Sequence, residues 1–381
     1  MKITGATVLE FRRTLDGRSW NPSMRWHERR APLLVLRAED GTFGIGEAWS
    51  RQSGIDSALK HLAEAVAPRL IGQTVDAGAQ WPTHEAKPGL PDWVAPAAAS
   101  AVDIALWDLR GKILGMPVWQ LLSADNSAVR GVAAVYASGG LYRDGSTEAD
   151  VARELAGYVE EGFTAVKMKI GGLALRDDIR RVGAVRDAIG PAATLWVDAV
   201  NQLTGDVAMT WCEALAQCGV GAIQAPVPFA DLGAMARINR DGLPVVAAEG
   251  EHDHDRFVAM LNAKAVTWLQ FCLGLCGGFS GGAQLDAMST AFGVATTPQC
   301  FSTAILQAAS LHFGAARGNA GSVEFHRFHD HLAALLPAPM RSIVDGHVRL
   351  DETPGLGLGP ITLGPQPGGG EIRVHAHLGA H

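Results

Sequence analysis

The chain has 381 residues, 48% hydrophobic and 19% charged, with a formal net charge of −7. That is enough apolar material for one large domain plus a smaller one, and it excludes disorder as the default state. An acidic balance with no basic block argues against nucleic acid as the main partner, and no run of about eighteen apolar residues offers a bilayer span.

Residues 1–10 alternate like a strand and lack the basic start and long apolar stretch of a secretion signal. The cysteines (Cys212, Cys218, Cys272, Cys276 and Cys300) are few and odd in number, which fits reduced thiols in a cytoplasm better than a disulfide framework. Strand-like pieces at 3–11, 33–38 and 42–46, with a turn at Asp40-Gly41, precede helical stretches at 58–71 and 97–114. Together, residues 1–128 read as an α+β cap. Between its first two strands lies a long insertion, 16–30. Loops of that length are functional lids or disordered. Trp20, Met24, Trp26 and His27 are costly to leave in water and favour a lid over a surface hairpin or subunit contact.

From 129 to 345 short apolar runs recur at similar intervals, at 132–136, 165–170, 195–199, 222–225, 245–248, 266–271, 294–297 and 322–325. Between most of them lies helical apolar spacing, as at Val151, Leu155, Tyr158 and Val159. Strand alternating with helix predicts a parallel sheet of βα units, and eight units predict a closed barrel. The fold class expected is α/β, a modified (β/α)8 TIM-like barrel behind an α+β capping domain. Residues 346–381 read as a short strand and a Gly/Pro-rich tail returning to the cap, with a turn at 365–370 and a loosely held end from 373.

In such a barrel the site forms where the strands end. The residues there are Lys167, Lys169, Asp198, Gln224, Glu249, Cys272, Gln299 and Glu324. Lys167-Met168-Lys169 on a strand puts both amines on one side. Mutual repulsion and burial then predict that at least one is less basic than in water and usable as a base. Asp198 ends a strand, where an unpaired buried carboxylate is costly and a hard cation would favour it; a helix cap or barrel salt bridge is the structural alternative. A thiol at Cys272, beside two lysines and a metal, would serve as acid or base if its pKa were depressed. Plain packing competes with that role. Cys272, Cys276 and Cys300 lack a paired zinc motif.

The run Ser100-Ala-Val-Asp-Ile-Ala-Leu-Trp-Asp-Leu-Arg-Gly111, continuing to Leu122, resembles the signature helix of the mandelate racemase/muconate lactonizing enzyme branch of the enolase superfamily. Gly44-Ile-Gly-Glu-Ala-Trp49 is similar to its second cap loop, 162–171 to its second barrel strand, and 354–359 to its C-terminal tail. The resemblance covers nearly the whole chain. It implies abstraction of a proton α to a carboxylate, a divalent cation stabilising the enediolate, and a homo-oligomer. By resemblance Lys169 is the base, Lys167 neutralises the substrate carboxylate and Glu324 hydrogen-bonds the enediolate. Asp198, Gln224 and Glu249 take the metal positions, with Mg²⁺ the implied ion.

The chain departs from that pattern at several strand ends. The family's Asp-x-Asn is Asp198-Ala-Val-Asn201, with an extra residue expected to misplace the Asn. The second metal position holds Gln224, which brings no negative charge and weakens the case for Mg²⁺. Counting from Pro244 gives Glu249 as the third ligand, whereas the family's Gly-Glu pair gives Glu251. Glu249 keeps the spacing to the next strand end and is preferred, with His252, Asp253 and His254 read as a polar loop. The sixth-strand Asp or Lys is Cys272. The seventh-strand His is Gln299, whose amide cannot exchange a proton at neutral pH.

The reading this supports is a dehydratase-type lyase acting on a small hydroxy or sugar acid through Lys169 and an enediolate. The alternatives are a racemase or cycloisomerase, a metal-independent re-tooled member, or a non-catalytic barrel paralogue. Retention of costly buried charges argues against the last. Trp20, Arg25, His27 and Arg51, in loops 16–30 and 49–56, are candidate contacts to the substrate's distal end.

Overall fold

The computed structural model describes residues 1–51, 53–75, 89–123, 131–328 and 331–379. The expected boundary between cap and barrel at 128/129 lies outside them. The cap opens with β1 (Ile3–Thr14), β2 (Ser19–Asn21), β3 (Met24–Arg25), β4 (Glu28–Ala38) and β5 (Phe43–Glu47), followed by the helix Val94–Leu114. The barrel strands are β6 (Val132–Ser138), then β8 (Ala165–Lys169), β9 (Thr194–Asp198), β10 (Val220–Gln224), β11 (Val245–Ala247), β12 (Trp268–Cys272), β13 (Ala295–Gln299) and β14 (Val323–His326), with a short β7 (Tyr142–Arg143) after the first. The chain ends with β15 (Ile343–Val344), β16 (His347–Arg349), β17 (Gly364–Pro365) and β18 (Glu371–Gly379).

All eight apolar runs of the sequence fall on barrel strands. They pair in parallel from β6 through β8 to β13, and β14 pairs with β6 to close the ring. Across the remaining seam, Thr297 Oγ1 donates to the Ser322 carbonyl at 2.7 Å. Register decides what reaches the site. Lys169 lies beside Asp198, and Asp198 beside Gln224. One layer at the carboxyl ends therefore carries an amine, a carboxylate and an amide. Beneath it Tyr136, Trp196, Ala222 and Val246 plug the interior, with ring centroids of Tyr136 and Trp196 4.9 Å apart.

The cap sheet has the order β17-β18-β1-β4-β5. The last strand pairs with β1 from Arg12/Glu371 to Gly5/Gly379, so the loosely held end expected from 373 is instead an ordered strand as far as Gly379. The insertion 16–30 forms the β2–β3 hairpin, which docks on β7 of the barrel. Gly44 and Gly46 lie so close to the helix that added β-carbons would sit 2.1 Å and 1.9 Å from the carbonyl oxygens of Ala105 and Ala101. No helix among the described residues is long and apolar enough to cross a membrane.

The helix holds three parts of the molecule through one carboxylate. Asp108, fully buried, accepts from Ile45 N at 2.8 Å, from Leu356 N at 2.7 Å and from Lys112 Nζ at 2.8 Å. Asp108→Ala strands two buried amides and is expected to cost roughly 2–4 kcal/mol by urea unfolding. On the same helix, burial pushes the Asp103 carboxyl up to about 6 from 3.8, against hydrogen bonds from Ser280 and Phe279. The folded protein therefore binds that proton more tightly than the unfolded chain. Its contribution to stability is greatest at acid pH and is withdrawn as pH rises through that interval. Asp103→Asn should flatten this part of the stability–pH curve relative to the parent.

Candidate active site

A cavity of about 370 Å³ lies between cap and barrel mouth. The barrel contributes Lys169, Asn201, Glu249, Gln299 and Glu324 to its wall, and the cap contributes Trp26, Arg29, Trp49 and Arg51. Below the wall, with no exposure, are Lys167, Asp198 and Gln224. Seven of the eight strand-end residues of the sequence thus separate into a layer facing the cavity and a layer under it, and the eighth, Cys272, lies in the apolar core.

Lys167 is the hub of the lower layer. Its ammonium donates to Gln224 Oε1 and to Glu324 Oε1, each at 2.7 Å, and lies 3.4 Å from Asp198 Oδ2. It also stands 5.7 Å from the Tyr136 ring centre. Burial pulls its pKa down, but Glu324 and the other anions outweigh this and hold it well above the ordinary lysine value. The lowered basicity expected from two facing lysines is therefore not found at Lys167, because oxygen partners more than offset the repulsion. Lys169 bonds to Asp198 Oδ2. Burial would raise Asp198, yet the ammonium groups of Lys169 and Lys167 keep it below the ordinary carboxylate range.

Gln224 is engaged at both ends. Its carbonyl accepts from Lys167, and its amide donates to Glu249 Oε2. Burial, and then the charge of Asp198, push Glu249 up to about 7. Glu249 is thus the third strand-end carboxylate. Glu251 instead accepts from the amides of His252 and Asp253 and pairs with Arg256, serving the start of the helix His254–Asn262.

These contacts bear on the cation that the resemblance implies. A hard divalent ion needs several oxygen donors converging on one point. Here Gln224 offers one oxygen, already given to Lys167, and turns its amide N–H toward Glu249. Rotating the amide would set two donors against each other at Lys167. Among the described residues, no group of three or more His, Cys, Asp or Glu is placed to hold a metal ion. The residues present do not fit Mg²⁺ as a family-type ligand set.

Several sequence expectations need revision. Cys272 does not line the cavity. It is fully buried in the apolar core, a packing position, where burial, then Cys300 and Cys276, push its thiol well above the usual value. The extra residue before Asn201 does not displace it. Val200 and Asn201 take left-handed conformations in succession, φ 53° and 58°, and Asn201 still reaches the cavity. Asn adopts this conformation readily; Val does so only under constraint. Trp20 stacks on Tyr142 at 4.4 Å and Arg25 pairs with Asp144 at 2.5 Å, so both fasten the lid to the barrel away from the cavity. His27 is exposed at the lid surface. Arg51 does line the cavity, stacked over Trp49.

Arg29 was not anticipated. Buried at the edge of the cavity, it donates to the Phe301 carbonyl at 2.6 Å and lies over the Phe301 ring, and among the described residues no carboxylate forms an ion pair with it. Burial lowers its pKa to about 10. The signal was parity: 29, 31 and 33 share the inward face of β4. His326 cannot stand in for the missing imidazole at the cavity, because it borders a separate cavity of about 170 Å³ behind Phe301, and burial keeps it neutral.

Two family descriptions match the chain: Mandelate racemase / muconate lactonizing enzyme, N-terminal domain, over residues 23–123, and Enolase C-terminal domain-like, over 150–361. The chain belongs to the mandelate racemase/muconate lactonizing enzyme branch of the enolase superfamily. It is similar to D-galactarolactone cycloisomerase of Agrobacterium fabrum, with 34% identity over 94% of this chain and 96% of the relative. It is also similar to arabinonate dehydratase of Saccharolobus solfataricus, with 29% identity over 87% and 88%. A racemase from Streptomyces coelicolor A3(2), solved with bound magnesium, superposes with a TM-score of 0.82 at 26% identity, covering 94% and 97%. A magnesium-bound relative therefore shares the scaffold on which this superfamily member carries Gln224.

Removing the hub should be costly. Lys167→Met leaves Glu324 buried without its ion-pair partner and is expected to lose roughly 3–5 kcal/mol by urea unfolding. Adding Glu324→Gln to that variant should recover part of the loss, a coupling read by a double-mutant cycle.

Proposed function

We propose that this superfamily member is a dehydratase-type carbon–oxygen lyase acting on a small hydroxy or sugar acid. The observation that carries the reading is the composition of the cavity wall. One side holds Lys169, with the charge of Lys167 directly below, and so attracts a carboxylate. The wall also carries two buried acceptors without a partner among the described residues, Gln299 Oε1 and Asn201 Oδ1. An orphaned buried acceptor is costly, and a substrate hydroxyl would satisfy each. Arg29 and Arg51 add donors at the cap end.

In this reading Lys169, as the free amine, takes the proton from the carbon α to the carboxylate. The C–H pair passes into the carboxylate to form the enediolate. The pair then returns to expel the β-hydroxyl, which leaves as water with the proton handed back by Lys169. The enol product tautomerises to a 2-oxo acid. No second base is required, which agrees with Gln299 at the imidazole position. Glu324, at the wall and bonded to Lys167, is placed to bond the enediolate when protonated. Lys167 acts from beneath as a fixed positive charge.

The cycloisomerase relative favours a second reading on the same intermediate, with a ring oxygen in place of the hydroxyl. Incubation with a panel of aldonic and aldaric acids and their lactones separates the two by mass spectrometry. Loss of water supports the lyase and an isomeric product the cycloisomerase. In deuterium oxide, Lys169→Ala should lose α-exchange and turnover by at least about a hundredfold. Turnover retained in that variant would sink both.

A further inference from the structure

We infer that this protein works without a divalent cation, with Gln224 closing the family metal position and the Lys167 ammonium supplying the positive charge there. The inference deepens the proposed function and rests on it only for the words about turnover.

The reasoning starts from what a carboxylate at position 224 would do. It would have one oxygen for Lys167 and a second aimed at Glu249, within hydrogen-bonding distance of another carboxylate. Two carboxylates in that contact need a cation or a proton between them. The amide removes that need. Its N–H occupies the direction in which a metal-binding oxygen would point, and it meets the Glu249 carboxylate as a donor. Asp198 is likewise committed, one oxygen to the lysine ammonium groups and the other to Val200 N at 2.9 Å.

The lower layer is therefore already balanced in charge and hydrogen bonding. Lys167 is bound by oxygens from Gln224, Glu324 and Asp198, much as a small cation would be. Asp198 and Gln224 also have no exposure to the cavity. A magnesium ion, which surrenders its waters reluctantly, would have to break these contacts to reach them.

The test measures metal binding directly. Chelator-treated protein is titrated with MgCl2 and MnCl2 by calorimetry, and its melting temperature is followed with and without millimolar metal. The parent should show no binding heat and no melting shift. Gln224→Glu should bind Mg²⁺ at least about tenfold more tightly than the parent, and its melting temperature should be lower in chelator and rise with metal. Saturable binding to the parent, lost in Asp198→Asn, overturns the inference. Absence of binding in both parent and Gln224→Glu, with the variant folded by circular dichroism, overturns the role given to Gln224. Turnover of a hydroxy acid by the parent, undiminished by EDTA, completes the support. An EDTA-sensitive turnover restored by Mg²⁺ refutes it. Failure to turn over any acid bears on the lyase reading, while the binding titration still decides the metal question.

Discussion

One buried ammonium organises this active site. Lys167 stands where four barrel strands end, and it is the only group that touches Gln224, Glu324 and Asp198 together among the described contacts. Charge in such a place is tolerable only when its partners nearly complete its coordination. The partners in turn are tolerable only because it is there: Glu324 and Asp198 are buried carboxylates. The strand register that brings Lys169, Asp198 and Gln224 abreast is thus as much an electrostatic constraint as a packing one. A slip of one residue would turn the amine into the wall and the apolar neighbour into the ion cluster.

The cap completes the site and is locked to the barrel by buried polar contacts. Glu47, at the end of β5, accepts from the hydroxyls of Ser302 and Thr303 and from the amides of Thr303 and Leu306. It therefore caps the barrel helix Ala304–Ala316 from the other domain. Burial raises its pKa, although these donors resist. Arg29 reaches the Phe301 carbonyl a few residues earlier in the same loop. The two contacts tie the loop that follows Gln299 to the cap, joining the cavity's ceiling to its β13 wall. The lid hairpin is held separately, by Trp20 on Tyr142 and by Arg25 on Asp144.

How much of this was readable from residues alone depends on the range of the interaction. The barrel strands were legible because a fully buried parallel strand is a short apolar run and nothing else in the chain repeats at that interval. That Lys167 and Lys169 share a face was legible from parity, and the nearness of Glu249 to its strand end from spacing. Partners chosen by the fold were not. Trp20 and Arg25 look like ligands for a polar substrate in isolation; only the pairing of β2 with β7 shows that their partners are Tyr142 and Asp144. The basicity of Lys167 failed for the same reason, since the lysine neighbour is visible in sequence and the three oxygen partners are not. Cys272 reads as a candidate acid until its burial is known. Glu47 lay inside a recognised loop motif, but its partners are more than 250 residues away.

The substitutions at the strand ends make sense as a set when hydrogen-bond polarity is followed around the site. Gln224 replaces an acceptor-only group by one that donates toward Glu249. Where the resembled pattern has a proton-exchanging ring, Gln299 brings a neutral amide whose buried carbonyl has no partner among the described residues. Both exchanges leave the molecule with fixed dipoles in place of groups that must change charge or bind a cation during a reaction. Fixed dipoles aimed where charge develops cost no reorganisation when it appears. What is retained, one lysine at the wall and one below it, is the minimum that the proposed single-base elimination uses. In the proposed elimination the chemistry falls on Lys169, and the surrounding amides would hold a polyhydroxy chain in register with it.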